Sequence, residues 1–242
     1  MIVLWMALAG VLVGLFLDAA IAQLAREPYE RAALEDDPDD VTTVRSALDL
    51  ASERGALELP ALLTSKAWYR RIAVVAATAV VFGFVGQKYE GDAAHLAIVS
   101  LYASALIICA ATDILAYRVP NVVTYPMILA ALIIGMTVDG PSRLDVLFGG
   151  LLFGGLLFLP SILAGGAMGM GDVKLALFVG FALGMTFVIP AMLLMALGGG
   201  AAAIFLLVTR VRGRRDPIPY APFISGGALV VMLTQGTAFV AF

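Results

Sequence analysis

Apolar residues along this chain collect into long blocks separated by short polar breaks. Eight blocks stand out, at residues 2–24, 71–87, 93–112, 122–138, 144–164, 173–188, 191–209 and 218–241. Uncharged stretches near 20 residues are the length an α-helix needs to cross a bilayer. The stretch 173–209 is apolar throughout and too long for one ordinary span, and Pro190 offers a break in its middle. The pattern therefore predicts an all-α polytopic membrane protein, a bundle of about eight transmembrane helices. One sizeable polar segment, 25–70, separates the first block from the rest. It opens on an acidic run (Glu30, Glu35, Asp36, Asp37, Asp39, Asp40), and a short helix is expected over 41–54. The expected organisation is a first transmembrane helix at 1–24, a cytoplasmic segment at 25–70 and a transmembrane core at 71–242.

Composition agrees: 62% of the 242 residues are hydrophobic, 14% are charged, and mean hydropathy is +0.99. Soluble chains carry about 25% charged residues. The first block lacks a basic leading region, and its basic residues Arg26 and Arg31 follow it, which predicts a retained span. A net charge of −3 gives no basic surface for nucleic acid. With one cysteine (Cys109) and one histidine (His95), an intramolecular disulfide and a Cys/His metal cluster are both excluded. Both residues lie in one apolar stretch, as helix-packing residues would. The basic residues set the orientation. With 25–70 in the cytoplasm, thirteen Lys and Arg fall inside and only Lys88 and Arg143 outside. The N-terminus is then outside.

Against this background the acids at membrane depth are informative, because an Asp there costs about 2.5–3.5 kcal/mol on insertion scales. Asp113 ends the third span, and Asp172 opens the sixth within Gly169-Met-Gly-Asp. An even number of crossings separates them, so both face one side, the cytoplasmic one. Two carboxylates brought together do not both ionise easily: one keeps its proton while the other accepts one from water. Such a pair hydrolyses a peptide without metal or covalent intermediate. Gly169 and Gly171 let backbone approach a substrate strand, and Pro120 is expected to stop the helix after Asp113. Arg118, Lys174 and Asn121 are candidates for tuning the acids or orienting the loop. Plainer accounts stand beside these. Asp172 has the position of a helix N-cap, Arg118 could neutralise Asp113 at the interface, and Arg118 and Lys174 could anchor helix ends at lipid headgroups. Asp18, a third acid in the first span, is expected to bond a neighbouring helix or face a polar cavity.

Three blocks together resemble the type IV prepilin peptidases, the Gly-x-Gly-Asp membrane aspartyl proteases. They are Asp113-Ile-Leu-Ala-Tyr-Arg-Val-Pro-Asn121, Gly169-Met-Gly-Asp-Val-Lys-Leu175 and Ile218-Pro-Tyr-Ala-Pro-Phe223, with a weaker likeness at Gly14-Leu-Phe-Leu-Asp18. The resemblance implies Asp113 and Asp172 as catalytic residues of an aspartic endopeptidase. It implies as substrates prepilin or pseudopilin precursors whose short basic leader precedes a hydrophobic helix. Proteolysis of this kind takes no cofactor or metal. Segment 25–70 lacks the paired Cys-x-x-Cys motifs of many bifunctional members, so a zinc-bound subdomain is absent. S-adenosylmethionine-dependent methylation of the new N-terminus stays open. The site would face the cytoplasm from the inner membrane, with lipid around the bundle. The oligomeric state is not legible.

A competing class is a transporter whose Asp18, Asp113 and Asp172 bind cations or relay protons, though no inverted repeat accompanies them. A non-catalytic scaffold of a secretion machine is a third. Helix contacts are expected at the Gly150/Gly154 pair and along Gly198 to Ala203.

Overall fold

The computed structural model of the chain describes residues 1–36, 65–137, 142–163, 169–209 and 218–238. Among these, seven helices and no strand occur: α1 (Ile2–Asp36), α2 (Ser65–Lys88), α3 (Ala93–Ala116), α4 (Asn121–Thr137), α5 (Arg143–Leu163), α6 (Met170–Val208) and α7 (Ala221–Thr234). Five are long and apolar enough to cross a membrane: α1 over Ile2–Ala25, α2 over Trp68–Lys88, and α3, α5 and α6. α4 and α7, at 17 and 14 residues, are shorter. The protein is a multi-pass membrane protein, with seven helices among the described residues beside the roughly eight expected. The expected helix over 41–54 and the side chains of the acidic run lie outside the described residues.

The difference centres on α6, 39 residues long and helical throughout except at Gly184, whose φ of 67° and ψ of 175° break it. Contacts give the direction of each arm. The first arm starts at Met170 and Asp172, in the wall of a cavity that also contains Asp113. A Cβ at Gly199, on the second arm, would stand 3.5 Å from the Tyr220 ring, and the next residue, Ala221, hydrogen-bonds Asp113. Fifteen residues of helix rise about 22 Å, so Gly199 lies back at the cavity end only if the chain reverses at Gly184. The two expected spans thus exist as antiparallel arms, and their turn is at Gly184, not Pro190. Pro190 sits inside the second arm.

The reversal frees backbone groups, and two of them are met. Asp145 of α5 accepts from the Thr186 N–H at 3.1 Å and the Thr186 hydroxyl at 2.9 Å. The Ala238 N–H donates to the Ala182 carbonyl at 3.0 Å. Without them the turn would leave polar groups unsatisfied in an apolar setting, at several kcal/mol each.

Small residues bring the helices together. A Cβ on Gly149 would fall 2.6 Å from the Gly180 oxygen, one on Gly150 2.1 Å from the Phe181 ring, and one on Gly154 3.0 Å from Leu177. Gly150 and Gly154 therefore serve the predicted contact, which also needs Gly149 and Gly180. Gly198 and Gly199 face Phe223 and Tyr220, whereas a Cβ on Gly200 would meet nothing within 4 Å. Gly10 and Gly14 do the same work between α1 and α2, against Ala79 and Val75. The shared core of α3, α5, α6 and α7 includes Leu106, Phe153, Phe178, Leu183 and Ile224, with Tyr102 edge-on to Phe178 at 5.3 Å. Leu8, Leu12, Leu129, Ile133, Leu151 and Leu197 stay exposed, as lipid-facing residues do.

At the end away from the cavity, polar side chains tie the end of α2 to α7. Tyr89 donates its hydroxyl to the Met232 carbonyl at 2.7 Å and Lys88 reaches the Thr234 carbonyl at 3.1 Å. Burial pushes the Tyr89 hydroxyl up to about 12, so it stays a donor at physiological pH. His95, expected to be a packing residue in an apolar stretch, instead lies in the first turn of α3 beside its N-cap, Asp92, and pairs with it. Cys109 is buried in the core as expected.

Candidate active site

The candidate acids come from two helix ends. Asp113 lies in the last turn of α3, which closes at Tyr117 in the left-handed conformation (φ 51°, ψ 40°), with the Tyr117 N–H on the Asp113 carbonyl at 2.8 Å. The helix stops four residues before Pro120. That residue heads α4 instead: its carbonyl accepts from the N–H groups of Val123 and Thr124, each at 3.1 Å. Asp172 lies in the first turn of α6, where Gly169 occupies the N-cap with extended backbone and no side-chain cap. The N-cap account of Asp172 therefore does not hold.

A cavity of about 280 Å³ separates these helix ends, and both acids line it. Of the eight residues the sequence singles out, seven line it: Asp113, Asp172, Gly169, Gly171, Lys174, Arg118 and Asn121. Pro120 does not line it and acts through the start of α4. Tyr117, Val119 and Met170 complete the wall; they lie within the resembling blocks but were not singled out in the sequence.

Two contacts hold the walls in register. Lys174 donates to Asn121 Oδ1 at 2.9 Å, and its ammonium stands 4.6 Å from the centre of the Tyr125 ring. Lys174 thereby links α6 to α4 and is not simply a headgroup anchor. A Cβ on Gly171 would be 3.0 Å from the Val119 Cβ, so the loop after Asp113 and the turn before Asp172 touch through a glycine.

The acids differ in their partners. Asp113 is 5% exposed, and its Oδ2 accepts from the Ala221 N–H at 3.0 Å, at the start of α7. That donor belongs to the block Ile218–Phe223, which the sequence marked by resemblance without assigning it a role. Oδ1 of Asp172 is buried and has no hydrogen-bond partner among the described residues.

Asp18 stays apart from the cavity. It is 2% exposed and holds Arg70 at 2.8 Å and Arg71 at 3.3 Å, joining α1 to α2. The expectation of a bond to a neighbouring helix is met by this ion pair. An acid held by two arginines is a poor proton relay or cation site, which weakens the transporter alternative.

Residues 100–206 match the type IV leader peptidase family. The chain is also similar to the prepilin leader peptidase/N-methyltransferase of Bacillus subtilis (strain 168), at 32% identity over 172 residues. That match covers 68% of this chain and 66% of the relative, just under two thirds of the relative's length. No solved structure matches the chain significantly.

Proposed function

We propose, from the match of residues 100–206 to the type IV leader peptidase family, that the protein is an aspartic endopeptidase of the membrane. In this reading it removes the basic leader from prepilin or pseudopilin precursors at the cytoplasmic face of the inner membrane. The observation that carries the reading is the shared cavity: Asp113 and Asp172 reach one space of about 280 Å³ from two helix ends.

The chemistry follows from that placement. A precursor with a hydrophobic helix enters the bilayer beside the bundle, and its leader stays in the cytoplasm. Its scissile bond then comes to the depth of the two acids. One carboxylate takes a proton from water as the water oxygen attacks the scissile carbonyl. The protonated partner supplies a proton to the departing nitrogen as the C–N bond breaks. Held between fixed groups, the reactants gain the rate advantage of orientation. The lysine–asparagine contact keeps α4 and α6 in register around the bond. Orientation rests on the distribution of basic residues, with the N-terminus outside and the cavity toward the cytoplasm.

The test is mass spectrometry of a precursor incubated with the purified protein. Cleavage after the leader is expected, with loss of at least a thousandfold in rate for Asp113→Asn and for Asp172→Asn, the effect of removing half of an acid–base pair. Cleavage that survives either substitution would reject the assignment. Adding S-adenosylmethionine to the same reaction asks about methylation, which the relative's name raises. A gain of one methyl mass on the new N-terminus would assign that second activity, and an unmodified product would deny it.

A further inference from the structure

The start of α7 supplies a hydrogen bond whose consequence goes beyond holding the fold together. Ala221 is the first residue of α7, and its N–H, which no helix carbonyl needs, donates to Asp113 Oδ2 at 3.0 Å. Asp113 therefore has one oxygen fixed by a backbone N–H donor. Asp172 has no equivalent donor: its Oδ1 is buried and without a partner among the described residues. The neighbouring ammonium of Lys174 is turned to Asn121 and Tyr125.

The geometry points to a division of labour: the N-terminus of α7 positions Asp113 as the carboxylate that takes the proton from water, leaving Asp172 as the acid that protonates the departing amine. The inference rests on the peptidase reading and deepens it. An N–H donor is best answered by an ionised oxygen, and the single proton of the pair resides on the acid that lacks such a donor. The step balances. Water gives its oxygen to the scissile carbon and one proton to Asp113, and the proton of Asp172 moves to the amide nitrogen as the C–N bond breaks. Exchange with solvent then returns the pair to its starting state. Ala221 is a positioning residue here, acting through Asp113 by its backbone alone, which is why its side chain carries no sign of the role.

Two experiments test this. Ala221→Pro removes the donor at the first position of the helix, and Ala221→Gly keeps the donor. The proline variant should lose roughly 10- to 100-fold in kcat, the worth of a hydrogen bond to a charged group, with KM within about twofold. The glycine variant should keep most of its kcat. A proline variant with unchanged kcat would overturn the inference. Infrared spectroscopy of the full protein at neutral pH, in ester-free detergent, reads the proton directly, even if the proline variant fails to fold. A protonated-carboxyl C=O band should be present in the unsubstituted protein and absent from Asp172→Asn. A band that persists in Asp172→Asn, or one never present, would overturn the division of labour. Absence of cleavage in every form would remove the peptidase reading instead, and the spectrum would still locate the proton.

Discussion

Gly171 leaves almost no slack between the two walls of the cavity. A Cβ there would lie 3.0 Å from Val119 Cβ and 3.3 Å from its Cγ2. Alanine would push the 117–121 loop outward by a few tenths of an ångström, away from Asp172. Gly171→Ala should lower kcat about tenfold, since displacements near 1 Å cost roughly a hundredfold, with little change in the unfolding midpoint. A variant with full activity would show that the contact does not set the geometry. Asp18 makes the opposite case. Asp18→Ala removes the acid through which Arg70 and Arg71 join α2 to α1. The cost should be about 2 kcal/mol of stability, below the roughly 3–5 kcal/mol of a fully buried pair, because Arg71 is one-third exposed. Denaturant unfolding measures it, and turnover per folded molecule should be unchanged. At this scale Asp113 and Asp172 were legible because an acid in an apolar block is rare enough to notice. The Ala221 contact was not, because its donor is a backbone N–H that any residue but proline carries.

Among the elements, α6 shows where hydropathy alone runs out. The block 173–209 announced two arms by length, but the turn went to Gly184 while Pro190 stayed inside a helix. Proline within a membrane helix is tolerated where neighbours satisfy the freed carbonyl. A reversal needs a positive φ, which glycine adopts without penalty, and one such glycine among 25 has no distinguishing mark. Gly184→Ala would combine a φ of 67° with a Cβ 2.2 Å from Asp145 Oδ2. It should cost about 3 kcal/mol, from backbone strain and overpacking together. Asp145→Ala alone should cost about 1 kcal/mol as the loss of a helix cap. In combination the two should cost less than their sum, because the clashing partner is gone. Strict additivity in a double-mutant cycle would mean that the aspartate and the turn act independently. The shorter α4 and α7 were legible as apolar blocks, but the extent of α7 was not, since its apolar sequence runs past Thr234 where the helix ends.

The molecule exposes leucines such as Leu12 and Leu197 while burying Asp18 and Asp113, the reverse of a soluble protein, and the apolar surface was open to composition. The spatial meeting of α3, α4 and α6 around one cavity was not, because it depends on close contacts between glycines such as Gly149 and Gly180 that hydropathy does not weigh. Orientation remains a prediction at this scale. With Cys109→Ser as background, Glu90→Cys should react with a membrane-impermeant maleimide on intact cells. Arg214→Cys should react only after permeabilisation. The reverse pattern would invert the topology and place the cavity on the outer side.

The fold-back of α6 has a reach that its place at the opposite membrane surface conceals. Twelve residues of helix, about 18 Å, join Gly184 to Asp172, while the returning arm packs against Tyr220, whose neighbour Ala221 grips Asp113. Asp172 is thus mounted on one prong of a fork whose other prong packs against the residues that hold Asp113, and its crotch is clamped by Asp145. Spreading the prongs at that remote point would move Asp172 away from the donor that holds Asp113 without touching either acid.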